Sequence, residues 1–484
     1  MDDTKLGKSR IVGFSGVLDR GNRWNPRSER DPRVLFAWDL GGGLILLTMS
    51  RTVEQKYRDK LMTPEEAVSR IKSNSTVIQP LGAGEPPALL KAIAAAVKAG
   101  NLRNLTMHAM LPLANTLQTV LAPDLPQEIN WESYFFSGVD RKAYKEGRAT
   151  YTPNLFYQAP RIFSEFRQID TAITAVSPMD RHGCFGLGVS VDYNLEVCRK
   201  AGQVIVEVNP NMPRTHGAGF IHIDEIDAIV ENEAPLPELA PPTFGPEEEK
   251  IGQLIAEMIP NGATLQLGIG GIPSAVIKYL MDHRDLGIHT EMLSDGLMEL
   301  ILAGVATGRC KTIHPYKAII AFATGTRHLY DFLDDNPLIE AHPVQYVNNP
   351  QVIARNHQQI AINAALQVDL TGQCCAESFG VKQYSGTGGQ LDFTRGAFDS
   401  PGGKAIIAFC STAKGGEFSR IVPTLSPGAV VTTPRTDVHY IVTEYGVAQL
   451  KGKSLRERAR LLIGLAHPKF RDVLEYEANK IGVL

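Results

Sequence analysis

One arrangement occurs twice in this chain and restricts its fold more than any other feature. It is an apolar strand, a glycine turn, a helix and a second strand. The first copy runs Thr76-Val-Ile-Gln79, then Leu81-Gly82-Ala-Gly84-Glu-Pro-Pro87, a helix from Ala88 to Lys98 stopped by Gly100, and a strand from Leu105 to Leu111. The second runs Ala263-Thr-Leu-Gln-Leu267, then Gly268-Ile-Gly270-Gly271, a helix from Ser274 to Leu280, and a strand from Ile288 to Leu293. Short apolar strands alternating with helices specify parallel sheets covered on both faces. Leu-Gly-Ala-Gly-Glu-Pro-Pro-Ala-Leu-Leu-Lys91 aligns with Leu-Gly-Ile-Gly-Gly-Ile-Pro-Ser-Ala-Val-Ile-Lys278 with one gap, which reads as a diverged internal duplication. Chance similarity between two βαβ units is the competing reading.

Size and punctuation agree with two such halves. At 484 residues the chain is long enough for two or three domains. Between the copies, Asn232 to Lys250 holds Pro235, Pro237, Pro241, Pro242, Pro246 and Glu247-Glu248-Glu249, the composition of a stiff polar linker. The expected organisation is therefore an α/β domain over 51–231, a linker over 232–250 and a second α/β domain over 251–484. Thr63-Pro64-Glu65-Glu66 reads as a helix start, with Thr63 as N-cap and Glu66 closing a capping box.

Residues 1–50 differ in character. Trp24 and Trp38 lie here, and the run Gly21 to Arg33 has no apolar periodicity. The Met-Asp-Asp start does not suit a secretory signal, and scattered acids such as Asp19, Glu29 and Asp31 do not suit a transit peptide. The segment is expected to be disordered or a mis-started extension, with Met49 as the native start.

Composition excludes several classes of function. A net charge of -3 leaves no basic face for nucleic acid, and no apolar run approaches the roughly 20 residues of a membrane span. The six cysteines form no C-x-x-C pair and no histidine cluster stands at metal spacing, so inert thiols in a reducing cytosol and no metal are expected.

The chemistry concentrates around one carboxylate. Gly287-Ile-His-Thr-Glu291-Met-Leu-Ser-Asp-Gly296 places Glu291 at the end of a short strand, between the Gly268–Gly271 turn and a further turn, Tyr384-Ser-Gly386-Thr-Gly388-Gly389-Gln390. An unperturbed Glu has a pKa of about 4.3, so it is ionised at neutral pH and can attack an activated acyl group without a neighbouring base. That suits acyl exchange with a thioester. Setting Met110-Leu111 against Met292-Leu293 puts Ala109 where Glu291 stands, so the second half alone carries the nucleophile and the first helps build the cleft. Two other readings compete. The Gly268 turn with Glu291 has nearly the spacing of a nicotinamide-dinucleotide site, but Pro273 occupies a fingerprint position reserved for Gly or Ala. Alternatively, the glycines only make tight turns.

Seven strings in order bring these residues to a known family. They are Ser177-Pro-Met-Asp-Arg-His-Gly183, Glu207-Val-Asn-Pro-Asn-Met-Pro-Arg-Thr-His-Gly217, Leu267-Gly-Ile-Gly-Gly-Ile-Pro273, His289-Thr-Glu-Met-Leu-Ser-Asp-Gly296, Val368-Asp-Leu-Thr-Gly-Gln373, Tyr384-Ser-Gly-Thr-Gly-Gly-Gln390 and Val442-Thr-Glu-Tyr-Gly-Val-Ala448. From Gln55 to Leu484 the chain resembles the acetyl-CoA hydrolase/transferase family, in particular its 4-hydroxybutyrate CoA-transferase-like branch. The resemblance implies two related CoA-transferase (NagB/RpiA-like) domains, an N-terminal one and a C-terminal one carrying the nucleophile. It places the nucleophile on Glu291, and oxyanion and CoA-binding backbone on Gly268, Ile269, Gly270 and Gly271 and on Gly386, Gly388 and Gly389. Many relatives have a histidine in the first glycine turn; Gln79 to Glu85 has none, which bears on acceptor preference.

The implied reaction is ping-pong transfer of CoA from an acyl-CoA to a short-chain carboxylate through a glutamyl-CoA thioester, the alternative being acyl-CoA hydrolysis by the same glutamate. A non-catalytic binding protein keeping the fold is a third reading. Coenzyme A thioester enters as substrate, and no tightly bound cofactor is expected. Arg214 is a candidate to hold the acceptor carboxylate or to make an ion pair. Asn348 is a candidate to orient Glu291, and Glu444 to order the site through hydrogen bonds or a salt bridge. His216 and His289 read as structural histidines. Small-molecule substrates, a cytoplasmic location and a homodimer or higher oligomer complete the expectation.

Overall fold

The computed structural model describes residues 51–484 and, before them, only the backbone of short strands, among them the antiparallel pair Leu35–Asp39 and Leu44–Thr48. The reading of residues 1–50 as an extension lies otherwise outside the described residues. Helix Val53–Lys60 belongs to a separate unit; residues Leu61–Asp180 and Cys184–Leu484 together form one compact unit.

Two sheets organise that unit. The first has seven strands, all parallel, in the order Ala228–Glu231, Gln203–Val208, Thr171–Val176, Thr76–Ile78, Leu105–Ala109, Ile129–Ser133, Ala149–Tyr151. The second has six, in the order Gly287–Ile288, Thr264–Leu267, Gln359–Ala364, Lys404–Ala408, Tyr440–Thr443, Gly446–Gln449, and only the last pairing is antiparallel. Five neighbours correspond. The order 105, 76, 171, 203, 228 in the first sheet is the order 287, 264, 359, 404, 440 in the second. The recurrence in the sequence is a recurrence of topology.

Burial follows from covering both faces. All residues of Thr171–Val176 and of Thr264–Leu267 are buried, as continuous apolar parallel strands require. Helix Pro87–Lys98 turns Leu89, Leu90, Ile93 and Val97 onto the first sheet, where they meet Val77, Met107, Ile173 and Ile205. Each such side chain contributes about 1.5–3 kcal/mol through loss of contact with water. In the second half, helices Pro246–Ala256 and Gly271–Leu280 approach so closely that a Cβ on Gly252 would lie 2.7 Å from Ala275, so only glycine fits there.

The capping box at Thr63 is present: its hydroxyl accepts from the Glu66 N–H, and the Glu66 carboxylate accepts from the Thr63 N–H. Two expectations are amended. Pro246 to Lys250 are not linker but the start of helix Pro246–Ala256, because Gly245 serves as N-cap and its N–H donates to Glu248 at 2.9 Å. The strand expected over Ile288–Leu293 is broken. Gly287–Ile288 pairs with Thr264–Leu267, while Met292–Leu293 leaves that sheet to pair with Phe322–Ala323. Glu291 stands in the break. Among the described residues no helix is long and apolar enough to cross a membrane.

Candidate active site

The break fixes the Glu291 backbone. Its carbonyl accepts from the N–H groups of Ala321 and Phe322 at 2.9 and 3.1 Å, and the Thr290 N–H before it donates to Ile319 at 3.0 Å. The side-chain Oε2 accepts from Asn348 Nδ2 at 2.6 Å. Asn348 follows the short helix Val344–Val347 and is fully buried. His289, also fully buried, holds the preceding residue: its Nε2 donates to the Val347 carbonyl at 2.8 Å. Burial pushes the His289 imidazole down to about 3, so it stays neutral and structural, as expected from the sequence.

The turn after Tyr384 closes the other side. A Cβ on Gly389 would fall 2.0 Å from Glu291 Oε2 and 2.3 Å from Asn348 Nδ2, so any side chain there would displace the pair. The Gly389 N–H is bonded to the Glu291 carboxylate. Gly386 and Gly388 lie against Phe135 of the first half, with positions for a Cβ 2.9 and 2.8 Å from its ring. Glu291 and Gly388 line a cavity of about 10 Å³ whose other walls include Leu81, Met110, Leu111, Phe135 and Phe156. The first half thus walls in the carboxylate it does not carry.

Desolvation pushes the Glu291 carboxyl up to about 7, and the negative charge of Asp192 adds to the rise. The Asn348 amide and the Gly389 N–H oppose it by bonding the charged form. This amends the expectation of an ordinary, freely ionised carboxylate: burial makes the group harder to ionise than an exposed glutamate. Sequence reasoning used the solution value because nothing in the residue order reveals burial.

Gly268, Ile269 and Gly270 face a different space. They line a cleft of about 470 Å³ together with Pro241, Phe244, Ser294 and Asp295. Ile269 is 55% exposed there. The chain just after Glu291 therefore borders this larger cleft, while Glu291 itself borders the small cavity. Gly271 begins the helix behind the turn.

The remaining candidates are occupied by other contacts. Arg214 pairs with Asp180 at 2.7 Å and lies over the Phe220 ring at 4.9 Å. Glu444 accepts from the Ser411 N–H and hydroxyl at 2.9 and 2.5 Å, tying the loop after Lys404–Ala408 to the strand Tyr440–Thr443. His216 meets Asp335 at 3.1 Å. Two features escaped the sequence. Asp392, buried in the first turn of helix Gln390–Asp399, adjoins Asn348. His314, Glu340 and His342 also come together, with His314 Nδ1 and His342 Nε2 each 3.2 Å from Glu340 Oε2. The only available signal for Asp392 was its place three residues after Gly389.

The comparisons with known proteins address the same architecture. Residues 47–239 match the acetyl-CoA hydrolase/transferase N-terminal domain and residues 325–478 the acetyl-CoA hydrolase/transferase C-terminal domain. The chain belongs to the acetyl-CoA hydrolase/transferase family. It is 49% identical to the 4-hydroxybutyrate coenzyme A transferase of Clostridium kluyveri, over 88% of this chain and 99% of that one. It is 47% identical to the succinyl-CoA:cyclohexane-1-carboxylate CoA transferase of Geobacter metallireducens, over 89% and 98%. The crystal structure of RipA from Yersinia pestis superposes with a TM-score of 0.86 at 45% identity, covering 90% of this chain and all of that one. With relatives of this kind matched along nearly their whole length, the chain is an enzyme of the CoA-transferase type.

Proposed function

We propose that this enzyme moves CoA from an acyl-CoA to a short-chain carboxylate, with Glu291 as the nucleophile of a ping-pong reaction. The observation that supports this most is the Glu291 carboxylate itself. It is held by Asn348 Nδ2 at 2.6 Å, pressed against a glycine that admits no side chain, and enclosed by both halves.

In this reaction a Glu291 oxygen attacks the thioester carbonyl. The C–S bond breaks, CoA leaves as thiolate, and an acyl-glutamyl anhydride remains. The thiolate attacks the glutamyl carbonyl, releasing the first carboxylate and leaving a glutamyl-CoA thioester. An acceptor carboxylate attacks that thioester, regenerating thiolate and a new anhydride; the thiolate then takes the new acyl group and frees Glu291. Covalent catalysis of this type divides one difficult displacement into easier ones. Neither a metal nor a tightly bound cofactor is called for.

Each step passes through an oxyanion. The backbone N–H groups of the Gly388–Gly389 turn stand beside the carboxylate, and those of Gly268 to Gly271 edge the larger cleft, which suits the CoA portion. Loss of one oxyanion donor costs on the order of 3 kcal/mol of transition-state stabilisation. The CoA tail supplies remote binding energy that orients the thioester. The related CoA transferases differ in the acid that they take, and one methylene in a pocket is worth only about 1–3 kcal/mol, so acceptor preference is assigned no further than a short-chain carboxylate. We place the enzyme in the cytoplasm as a homodimer or higher oligomer, a reading carried by the resemblance.

The test is exchange. With an acyl-CoA and a second carboxylate, total thioester is expected to stay constant while CoA moves, and initial rates at several fixed acceptor concentrations should give parallel double-reciprocal lines. Thioester loss independent of acceptor would replace transfer by hydrolysis.

A further inference from the structure

Glu377 is a buried carboxyl that the proposed reaction leaves unused. It lies between the strands Cys374–Cys375 and Ser378–Phe379 and is 3% exposed. Its Oε2 accepts from the Tyr151 hydroxyl at 3.1 Å and from Gln383 Nε2 at 3.3 Å. Its Oε1 accepts from the hydroxyls of Thr432 at 2.9 Å and Thr387 at 3.3 Å. These donors are all neutral, and they come from separate places. Tyr151 ends Ala149–Tyr151, the edge strand of the first sheet. Gln383 stands just before the turn that begins at Tyr384, and Thr387 lies within it, between Gly386 and Gly388. The Glu377 carbonyl adds two bonds to the same turn, accepting from the N–H groups of Tyr384 and Ser385 at 2.8 and 3.0 Å. One residue therefore joins the first half to the turn whose Gly389 N–H is bonded to the Glu291 carboxylate.

We propose that Glu377 is the positioning residue of the glycine turn: its carboxylate clamps Gln383 and Thr387 to Tyr151 of the first half and so holds Gly389 at Glu291. A carboxylate suits this place because it is acceptor-only, with about four lone-pair sites for the surrounding donors. A glutamine of the same shape would turn its NH2 group against two of them. Hydrogen bonds to a charged acceptor are also roughly twice as strong as neutral ones. The backbone bonds from Tyr384 and Ser385 do not depend on the side chain, so the turn can form without the carboxylate but is held less firmly. The effect on rate rests on the proposed role of Glu291; the clamp does not.

Two measurements on the full-length protein test this. Hydrogen exchange reads the clamp without catalysis. Amides of the turn after Tyr384 should exchange about 10-fold faster in Glu377→Gln, and less so in Tyr151→Phe, which removes one donor. Rates give the second readout. Glu377→Gln should lower kcat about 10- to 100-fold while KM for acyl-CoA changes by less than about 3-fold, as misplacement of a site element does. The Gly389 N–H opposes the rise in the Glu291 carboxyl, so the midpoint of kcat/KM should also move above about 7. Tyr151→Phe should lose about 3- to 10-fold in kcat, and the double variant should lose less than the product of the two, since both weaken one link. Unchanged exchange at the turn, losses that multiply independently, or a raised KM at normal kcat overturns the proposal. Should Glu377→Gln fail to fold, Tyr151→Phe carries both readouts. If Glu291 is not the nucleophile, Glu291→Gln stays active while Glu377→Gln still quickens exchange, which separates the two failures.

Discussion

The two halves share one order of strands and differ at the glycine turn and in the course of the next strand. In the first half the turn Gly82–Gly84 is buried, and Ser190 seals it: the Leu81 N–H donates to its hydroxyl at 3.2 Å, and a Cβ on Gly84 would lie 2.8 Å from its own Cβ. Strand Leu105–Ala109 stays in its sheet to the end, and Ala109 is fully buried. In the second half the turn opens onto the 470 Å³ cleft, and the strand breaks so that Glu291 leaves the sheet. The shared frame carries different residues at the corresponding position, Ala109 in one half and Glu291 in the other. The Glu291 carboxylate stands where the strand lets go of its sheet, and residues of the half with the unbroken strand wall the cavity beside it.

Exchanging the distinguishing residues gives the largest expected effect. Glu291→Ala should lose on the order of 10⁴-fold or more in turnover, as removal of a nucleophile does. Adding Ala109→Glu to that variant should restore nothing; a carboxylate at that fully buried site should instead destabilise the protein by about 3–5 kcal/mol in chemical denaturation. Recovered turnover would show the halves to be interchangeable.

A pair of glycine substitutions sharpens the contrast. Gly389→Ala drives a methyl into the Glu291–Asn348 pair and should cut kcat about 10²- to 10³-fold. Gly84→Ala, crowded against Ser190, should cost about 1–3 kcal/mol of stability with much smaller change in kcat.

The third prediction concerns pH. Under the proposed attack by the Glu291 anion, kcat/KM should rise with pH through a midpoint at about 7, well above that of an exposed glutamate. Asn348 stabilises the charged form, so Asn348→Ala should move that midpoint upward and lower kcat about 10- to 100-fold, the worth of a hydrogen bond to a charged group. A midpoint near 4.5, or one unmoved by the substitution, would contradict the desolvated site.

Much of this was legible in the sequence, and the rest was hidden for physical reasons. The recurrence of strand, turn and helix was readable because periodicity and glycine placement are local. So was the cap at Thr63, whose partners lie within one turn. The same local grammar was misread at Pro246-Glu247-Glu248-Glu249, where a proline and acids after a glycine announce a helix start as well as a linker. The break after Ile288 was not readable, since it depends on Ala321 and Phe322 taking the Glu291 carbonyl from another strand. Asn348 could be named as an orienting residue, but its geometry comes from His289 bonding the neighbouring Val347 carbonyl. Arg214 shows the opposite case. An arginine in a distinctive string invites a substrate role, yet its guanidinium meets Asp180 and Phe220. The smallest expected effect is therefore at this residue. Arg214→Gln should cost about 1 kcal/mol or less in stability and leave the acceptor KM nearly unchanged, which acceptor titration checks. A large rise in that KM would restore the substrate role.

The most direct measurement of the central claim is peptide mass spectrometry after mixing the protein with an acyl-CoA, no acceptor, and borohydride. A CoA adduct, or the alcohol left by its reduction, on the peptide containing Glu291 is the predicted result. Acyl-CoA consumed with that peptide unmodified and a different residue labelled would contradict it.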